Sequence, residues 1–390
     1  MKTQVAIIGG GPSGLLLSQL LMINGVKTVV LEKKTRKYVL SRIRAGIIEP
    51  NSVKLILDAK LGNRIIKDGF KHSGTIISDG ISDFRIDFKA LVKKEVTVFG
   101  QTEITKDLYS AQDKLQANIF HNVSQVKLED LETKEPTVTF ATDNGTKKKI
   151  QADFVVGCDG YHGISRSYIP KDKIKLFERN YPFGWLGILS ETPPVNEELI
   201  YASSKEGFAL ASMRNENLSR YYIQCPTNSK AEDYSDDFFW NQLRKRLPRK
   251  YAENLITGKS IEKSIAPLRS FVCEPMQWGN LFLVGDAAHI VPPTGAKGLN
   301  LAFSDVNYIS TALLDFYTNG NADLLSEYSE TALKRVWKTV RFSWWMTNLL
   351  HTFPNASNFD RRIQLSEYEY LRQSERGQAS LAENYIGLPY

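Results

Sequence analysis

Three glycines near the amino terminus have the spacing of a phosphate-binding turn. Gly9, Gly11 and Gly14 form a GxGxxG pattern between an apolar run at residues 3–8 and a leucine-rich segment expected to be helical. In such a turn the first glycine permits a tight bend, the second lets a pyrophosphate approach the backbone, and the third lets helix pack on strand. The helix start at Ser13 offers free N–H groups to the phosphates. The pattern predicts a dinucleotide site.

An acidic residue after the next apolar run narrows the choice of nucleotide. Residues 26–31 are apolar and end at Glu32, close to the ~20-residue spacing expected after the glycines. Glu32 can accept hydrogen bonds from a ribose diol, which favours FAD or NAD over a 2′-phosphorylated nucleotide. The sequence has neither a second GxGxxG unit nor a redox-type cysteine pair, which argues against two-dinucleotide disulfide reductases. These residues leave open a simple dehydrogenase or a flavoprotein.

Two further apolar runs end beside an aspartate. One leads to Asp159-Gly160, and the other, at residues 280–285, leads to Gly285-Asp286 and the stiff stretch "VPPTGAKGLN". A plain helix N-cap is the alternative for each aspartate. In a doubly wound sheet, however, the carboxyl ends of the strands line the ligand crevice. Together with the first turn, they predict a single nucleotide site.

The length and the net charge of the chain limit the classes of protein that remain possible. A chain of 390 residues exceeds the usual size of a single core, so more than one domain is expected. Its net charge of +7 raises the question of nucleic acid, but the basic clusters at 33–37, 147–149 and 244–250 lack an accompanying recognition motif. We therefore expect no nucleic-acid partner, no membrane span, no metal site and a cytoplasmic location.

The set of GxGxxG with Glu32, then Asp159-Gly160, then Gly285-Asp286 resembles the class A flavoprotein aromatic hydroxylases. Segments from "YVLSRIRAGIIE" to "AENYIGLPY" extend the resemblance along the chain and narrow it to members that act on 4-hydroxybenzoate. The resemblance implies an FAD monooxygenase that uses NADPH and O2, activates oxygen at flavin C4a and forms 3,4-dihydroxybenzoate. The alternatives are the same chemistry on another benzoate or phenol, or a flavin-binding protein without hydroxylase activity.

The resemblance also implies a role for individual residues. For FAD it adds the following to the glycine turn and Glu32: Ser13, Arg42, Arg44, Gln101, Asp159, Asp286, Leu299 and Asn300. The substrate carboxylate is matched to Ser212, Arg214 and Tyr222, and the phenol to Tyr201 and the Pro293 carbonyl. Tyr385 and then His72, at the solvent side, continue a proton relay from Tyr201. The nicotinamide nucleotide is matched to Lys33, Tyr38, His162, Arg166 and Arg269, again with Arg42 and Arg44.

The predicted fold class is α/β. A Rossmann-like FAD-binding domain is expected at residues 1–175, a mixed or antiparallel substrate-binding sheet at 176–290, and a helical interface region that completes the FAD site at 291–390. A strand near 280–286 is expected to return to the first domain. An apolar stripe in the last region is predicted to be core or subunit contact in a homodimer; it comprises Leu333, Val336, Trp337, Val340, Trp344 and Trp345.

Overall fold

The computed structural model describes residues 1–42, 46–80 and 82–390. Its strands, in chain order, are β1 (Val5–Ile8), β2 (Thr28–Leu31), β3 (Ile47–Ile48), β4 (Phe70–His72), β5 (Gly74–Ser78), β6 (Asp83–Asp87), β7 (Val96–Val98), β8 (Asn118–Phe120), β9 (Ser124–Glu129), β10 (Thr137–Ala141), β11 (Lys147–Gln151), β12 (Phe154–Gly157), β13 (Lys175–Ser190), β14 (Ile200–Ser204), β15 (Gly207–Asn215), β16 (Leu218–Pro226), β17 (Ser260–Glu274), β18 (Gln277–Trp278), β19 (Leu281–Leu283) and β20 (His289–Ile290).

The α-helices of the described residues, in the same order, are α1 (Pro12–Met22), α2 (Arg36–Ser41), α3 (Pro50–Asp58), α4 (Asn63–Asp68), α5 (Phe88–Val92), α6 (Gln101–Lys114), α7 (Asp236–Arg246), α8 (Arg249–Glu253), α9 (Gly298–Asn319), α10 (Asp323–Ser326), α11 (Tyr328–Leu350), α12 (Asn358–Gln373) and α13 (Glu375–Ile386). Within these ranges, no helix has both the length and the apolar character needed to cross a membrane.

A parallel sheet carries the nucleotide motifs. Its strand order is β18-β19-β12-β1-β2-β8, and only the short edge pair β18–β19 is antiparallel. The inner strands are wholly buried and, apart from Thr28, carry no polar side chain, as expected for a sheet covered on both faces. Because β1, β2, β12 and β19 run in one direction, their carboxyl ends meet at one edge. The turns that follow these four strands contain the predicted nucleotide-binding residues.

A larger mixed sheet lies beside it, in the order β20-β17-β13-β16-β15-β14-β5-β6. Its pairs are antiparallel except β14–β5, where Ile200 pairs with Ile76 in parallel. Alternate side chains of β15 enter different cores. Ala209 and Ala211 pack in a cluster with Phe239 of α7, whereas Leu210 packs in a cluster with Tyr385 of α13. Both faces of this sheet are therefore covered.

Two small antiparallel sheets complete the strand inventory of the described residues, in the orders β11-β10-β9 and β3-β7-β4. The β10–β11 pair is a hairpin with Asn144-Gly145 in its turn. The long helices α9 and α11 follow the stiff loop of residues 291–297, and Gly320, with φ +73°, ends α9. The predicted α/β class, with a mixed second sheet and a helical carboxyl-terminal region, is confirmed.

Several predicted boundaries differ from the structure. After Asp159-Gly160 the chain forms a single 3-10 turn, Ser165–Tyr168, which does not continue as a helix because Pro170 disfavours α-helical backbone at Ile169. The strand predicted at 280–285 is β19, Leu281–Leu283, and Gly285 has φ +63°. Positive φ is incompatible with continued strand pairing. The strands predicted to start at residues 3 and 26 begin at Val5 and Thr28.

The three-domain division stays a prediction, and the strand pairing bears on it. Strands β5 and β6, from the first hundred residues, belong to the mixed sheet, whereas β19 pairs with β12 in the parallel sheet. The chain thus passes between the two sheets more than once. The position of β19 matches the strand that was expected to return near 280–286.

Candidate active site

The glycine turn between β1 and α1 is packed too closely for any other residue at two positions. A Cβ on Gly14 would lie 2.0 Å from the Gly9 carbonyl oxygen, and one on Gly9 would lie 2.3 Å from the Cys158 carbonyl oxygen. Gly11, by contrast, has no atom of the described residues within 4 Å of its Cβ position and is the N-cap of α1 without any side-chain hydrogen bond. The open space and free N–H groups at this helix start fit a pyrophosphate.

Glu32 is a buried carboxylate at the end of β2. Its Oε2 accepts a 2.8 Å hydrogen bond from the Gly10 N–H, and its Oε1 accepts one of 2.8 Å from the Lys34 N–H. The side chain thus ties the glycine turn to the loop after β2. Each carboxylate oxygen keeps a second lone pair, so a ribose hydroxyl can still donate to it.

Asp159 stabilises its own loop and also presents an unused acceptor. Its Oδ2 accepts hydrogen bonds from the N–H groups of Ile164 and Ser165, at 2.7 and 2.9 Å, and from the Ser165 hydroxyl at 3.0 Å. Its Oδ1 is buried without a hydrogen-bond partner among the described residues. Burial raises the pKa of Asp159, while the hydrogen bonds to Ser165 oppose that rise. A ligand hydroxyl would satisfy the Oδ1 atom.

Two side chains that the sequence pattern did not reveal support the turn at Asp286. The buried Asp305 accepts a 2.9 Å hydrogen bond from the Gly285 N–H and lies 2.6 Å from His289 Nε2. Asp286 itself lies in the short turn Gly285–Ala287 and is partly exposed. The paired Asp305 and His289 therefore hold the backbone that presents Asp286 at the sheet edge.

Arg166 links this turn to the loop of Asp159. One terminal nitrogen donates to the Ala287 carbonyl at 2.7 Å and the other donates to the Tyr161 carbonyl at 2.8 Å. The guanidinium also lies 4.7 Å from the centre of the Phe271 ring. Arg166 was predicted to contact the nicotinamide nucleotide. In this structure its terminal nitrogens bind backbone carbonyls, which holds the two predicted FAD loops together.

The loop before α9 is rigid and leads into a helix start. Pro293–Gly295 forms a 3-10 turn, and Ala296 has the left-handed φ of +53°. The Asn300 side chain donates to the Ile47 carbonyl at 2.9 Å and accepts from the Glu49 N–H at 2.9 Å. The backbone N–H groups of α9's first turn, Leu299 included, point out of the helix start and carry the positive end of its dipole. That position suits an electron-rich ring.

Four predicted substrate residues belong to one face of the mixed sheet. Tyr201 on β14 pairs with Leu210 on β15, and Leu210 pairs with Tyr222 on β16. Directly opposed residues share a face, and so do residues two apart, which adds Ser212 and Arg214. Strands lie about 4.8 Å apart, so Tyr201 and Tyr222 stand about 10 Å apart across β15. One aromatic ring fits between two polar ends at that spacing.

The Arg214 guanidinium stands at one end of this face. It forms no ion pair within the described ranges, and its buried Nε has no hydrogen-bond partner there. Burial lowers the pKa of Arg214, and the Tyr222 hydroxyl partly opposes the change. The neighbouring Arg220, in contrast, is paired with Glu262 at 3.0 Å. Arg214 is therefore the cation of this face that is ready to take an anionic ligand.

Two tyrosine hydroxyls meet at the other end. The Tyr201 and Tyr385 oxygens are 2.9 Å apart, and each residue is only 1% exposed. Burial raises the pKa of both phenols well above the usual value, so both stay neutral and exchange a hydrogen bond. Tyr385 also stacks on Phe88, with ring centres 4.9 Å apart. The two residues that were predicted to begin the relay are thus in direct hydrogen-bond contact, and their role in proton transfer stays a prediction.

His72 differs from its predicted position at the solvent side. It ends β4 and is only 3% exposed, and neither ring nitrogen has a hydrogen-bond partner among the described residues. Burial lowers the pKa of His72, while the charges of Glu198 and Glu197 oppose the shift. A proton passing between Tyr385 and His72 needs intervening groups, such as water molecules.

The predicted nicotinamide residues form two aromatic–cation groups. Tyr38 on α2 is 45% exposed, with Lys34 Nζ 5.3 Å and the Arg42 guanidinium 5.8 Å from its ring centre. In the second group Arg269 lies 4.7 Å from the centre of Tyr161. The partners of this second group are His162, edge-on to Tyr161, and Glu178, 3.6 Å from Arg269.

The remaining predicted residues are less informative. Lys33 is exposed in the turn after β2. Gln101 is the first residue of α6, whose N-cap residue, Gly100, makes no side-chain hydrogen bond. Arg44 lies outside the described residues. The described part of the chain holds no group of three His, Cys, Asp or Glu side chains that could bind a metal ion.

Sequence reasoning missed a buried ion-pair network behind the loop of Pro293. Glu49 contacts Lys297 Nζ at 2.8 Å through one carboxylate oxygen and Arg335 Nη2 at 3.1 Å through the other. The three residues come from three distant parts of the chain, and each alone reads as an ordinary surface charge. Lys297 was the available clue, since it lies within the stiff stretch that was already singled out.

Comparisons with known proteins agree with this geometry. A family described as "FAD binding domain" matches residues 2–343. The chain is 55% identical over 391 aligned residues to the p-hydroxybenzoate hydroxylase of Acinetobacter baylyi, covering 100% of this chain and 96% of that protein. It is 25% identical over 309 residues to a rifampicin monooxygenase of Streptomyces venezuelae, covering 77% and 62%.

Solved structures share the fold. The p-nitrophenol 4-monooxygenase of Pseudomonas putida superposes with a TM-score of 0.84 at 17% identity, covering 100% of both chains. A probable FAD-dependent monooxygenase of Pseudomonas aeruginosa gives 0.78 at 19% identity, covering 95% and 100%. With the family match, the full-length relative and the fitted nucleotide turns, the chain belongs to the FAD-dependent aromatic hydroxylases, as the resemblance implied.

Proposed function

We propose that this protein hydroxylates 4-hydroxybenzoate at C3 with NADPH and O2, forming 3,4-dihydroxybenzoate, NADP⁺ and water. The observation that carries the proposal is the single sheet face that has the Arg214 guanidinium, without an ion-pair partner among the described residues, at one end and the Tyr201–Tyr385 hydroxyl pair at the other. A benzoate with a para hydroxyl has a carboxylate and a phenol at opposite ends of one ring. The 55% identical relative is named for action on this compound.

The carboxylate end is recognised by charge. The Arg214 guanidinium would bind the substrate carboxylate in a bidentate manner, with the hydroxyls of Ser212 and Tyr222 on the same face as further donors. A buried cation without an anion is unfavourable, and the substrate supplies that anion. A neutral ring would leave Arg214 unpaired, so the pocket selects aromatic acids.

The phenol end controls a proton. A ring hydroxyl donates electrons to its ortho carbon far better once it is deprotonated, and phenols normally titrate near ~10. Tyr201 would accept the substrate's proton while donating its own to Tyr385. His72, with its free ring nitrogens, is the proposed end of the path, and the Pro293 carbonyl would accept from the same phenol.

The cofactor site has the residues that FAD requires. The Gly11 helix start would hold the pyrophosphate, Glu32 the adenosine ribose, and Asp159 and Asp286 hydroxyls of the cofactor chain. Bound FAD supplies the hydride acceptor and the oxygen activation. The loop at Pro293 would cover the flavin ring and exclude water, which competes for the activated oxygen. The exposed cations near Tyr38, and the partly exposed Arg269 near Tyr161, suit the phosphates of NADPH, and Lys33 would favour the 2′-phosphate.

We also propose a homodimer in the cytoplasm. The residues of the predicted apolar stripe on α11 differ in exposure. Val336 and Val340 are buried, whereas Trp337 and Trp344 are about two-fifths exposed. The exposed Phe177 packs edge-on against Trp337, with ring centres 5.3 Å apart. An aromatic surface of this kind is typical of subunit contacts. Sedimentation at two protein concentrations would test the dimer.

The test of the activity measures NADPH consumption by the purified, FAD-loaded protein with and without 4-hydroxybenzoate, together with the aromatic product and peroxide. Stimulated consumption with one 3,4-dihydroxybenzoate per NADPH supports the proposal. Stimulation that yields peroxide alone would mean that another benzoate or phenol is the true substrate. A parallel series with NADH decides the nucleotide preference.

A further inference from the structure

The network of Glu49, Lys297 and Arg335 surrounds the carboxyl-terminal segment, residues 385–390. Glu49 is 1% exposed and lies between the two cations. Gly387 passes directly over it with φ +100°, and a Cβ there would lie 1.9 Å from the Glu49 carboxylate. Only a glycine at position 387 therefore lets the segment pass this close to the carboxylate.

Arg335 binds that segment in three ways. Its Nη1 donates to the Leu388 carbonyl and, at 3.1 Å, to the Pro389 carbonyl. Its guanidinium lies 4.8 Å from the centre of the Tyr390 ring. Its Nη2 donates to Glu49, so one planar group joins α11, the loop before α3 and the chain end. The planar fork of an arginine makes these contacts at once, whereas a lysine offers a single point of donation.

The same network reaches the proton relay through Tyr385. Lys297 Nζ donates to the Tyr385 backbone carbonyl while it is paired with Glu49. Tyr385 lies in the last turn of α13, two residues before Gly387, and its hydroxyl contacts Tyr201. Its ring faces Lys297 Nζ at 5.4 Å and Phe88 on the stacked side. The segment that Arg335 holds is thus the continuation of the helix turn that carries the relay hydroxyl.

We propose that Arg335 is a positioning residue for the proton relay: by holding residues 387–390 against Glu49 it fixes the Tyr385 hydroxyl at hydrogen-bonding distance from Tyr201. The inference rests on the proposed function, in which this pair carries the phenol proton. Without Arg335, the Leu388 and Pro389 carbonyls lose their donor and Glu49 loses one of its two cations. The end of α13 then frays, and the Tyr201–Tyr385 separation exceeds the range of a hydrogen bond.

The experiment compares four variants of the FAD-loaded protein. Arg335→Met removes the fork, and Arg335→Lys keeps the charge but cannot span all three contacts. Lys334→Met is the matched control, since Lys334 is on the same helix, is exposed and pairs only with Glu330 at 2.7 Å among the described residues. Tyr385→Phe removes the relay hydroxyl itself and serves as the reference for a broken relay.

Two readouts are measured. Hydrogen exchange of a peptide covering residues 381–390 reports whether the segment is held, and it needs no substrate. An absorbance titration of bound 4-hydroxybenzoate reports the pH at which its phenol ionises. We expect the amide hydrogens of residues 381–390 to exchange at least tenfold faster in Arg335→Met and Arg335→Lys than in wild type. In both variants the pH at which the bound phenol ionises should rise, as it should in Tyr385→Phe. Both should also lower kcat more than they raise KM. Lys334→Met should match wild type in every measurement.

Three results would overturn the inference. Unchanged exchange in Arg335→Met would show that Arg335 does not hold the segment. Faster exchange with an unchanged phenol titration would show that the segment does not position the relay. If the phenol titration were shifted in Arg335→Met but matched wild type in Arg335→Lys, the charge of residue 335, and not its hold on the segment, would account for the shift. Failure of the proposed function is distinct: Tyr385→Phe and wild type would then give the same titration, or neither would bind 4-hydroxybenzoate.

Discussion

The Tyr201 and Tyr385 hydroxyls are 2.9 Å apart in a site closed to solvent, although 184 positions separate the two residues in sequence. Tyr201 belongs to the mixed sheet and Tyr385 to the last helix, so the contact joins two elements that are far apart in the chain. Because burial raises the pKa of both phenols, both stay neutral, so in the proposed relay a proton would pass by exchange of hydrogen bonds rather than by ionisation of either tyrosine.

Replacing one hydroxyl of this pair should uncouple the reaction. In Tyr201→Phe we expect 4-hydroxybenzoate to bind and NADPH to be consumed, but with peroxide as the main product, because the bound phenol cannot lose its proton. The measurement is the ratio of 3,4-dihydroxybenzoate to NADPH consumed. Tyr221→Phe is a matched control: Tyr221 is equally buried but packs in the cluster on the opposite sheet face, where its hydroxyl accepts from the Val195 N–H at 3.2 Å. Unchanged coupling in Tyr201→Phe would refute the relay.

The Arg214 guanidinium should account for recognition of the carboxylate. We expect Arg214→Gln to weaken 4-hydroxybenzoate binding by about 3 kcal/mol, roughly a hundredfold, because a buried charge pair is lost. Flavin fluorescence titration measures the affinity. The methyl ester of the same acid is the control ligand, since it carries no charge and should bind wild type and variant with similar affinity. An equal loss for acid and ester would place the carboxylate elsewhere.

The two sides of the glycine turn should respond differently to one added methyl group. The added methyl group of Gly11→Ala meets no atom of the described residues within 4 Å, so the FAD-free protein should melt at the wild-type temperature while its FAD affinity falls at least tenfold. Gly14→Ala, whose Cβ would lie 2.0 Å from the Gly9 carbonyl oxygen, should destabilise the FAD-free protein as well. Thermal melts and FAD titrations of both variants provide the check. Normal FAD binding by Gly11→Ala would contradict the assigned pyrophosphate position.

The parts of the candidate site that could be predicted from sequence depend on residues that are close together in the chain. Gly9, Gly11 and Gly14 lie in one turn, and steric contact within that turn dictates their identity. Asp159 and Asp286 were also singled out from local sequence, because each follows an apolar run that forms a buried strand of the parallel sheet. The roles of Arg214 and Tyr201, by contrast, came from the family resemblance, because an isolated arginine or tyrosine on a strand has no distinguishing pattern.

What the sequence did not reveal depends on contacts between distant segments. Strand β5 pairs with β14 across more than a hundred residues, and no local periodicity encodes that partner. Glu49 and Arg335 meet only after the chain has folded, and so do His289 and Asp305. The burial of His72 and the use of Arg166 on backbone carbonyls likewise depend on neighbouring elements, which explains why both were assigned more exposed roles.

His351 should make the protein sensitive to mild acid. It is fully buried, its Nε2 accepts from Trp185 Nε1 at 2.7 Å, and its Nδ1 is 2.9 Å from the Thr347 carbonyl, which fixes a neutral ring. Burial lowers its pKa from 6.5 to about 3. Between these values the unfolded chain binds the proton that the folded chain excludes, so the free energy of unfolding falls as the pH drops below 6.5. From pH 7 to pH 5 this histidine should cost about 2 kcal/mol of stability.

The contribution of His351 to this loss of stability can be isolated with His351→Gln, since glutamine keeps an acceptor for Trp185 and a donor for Thr347 but does not titrate. Urea unfolding at pH 7 and pH 5 should show that the variant loses about 2 kcal/mol less than wild type over this range. His72 and the carboxylates titrate in both proteins, so their contributions cancel in the difference. Equal losses in the two proteins would mean that folding does not suppress protonation of His351, in contradiction to its closed, apolar surroundings.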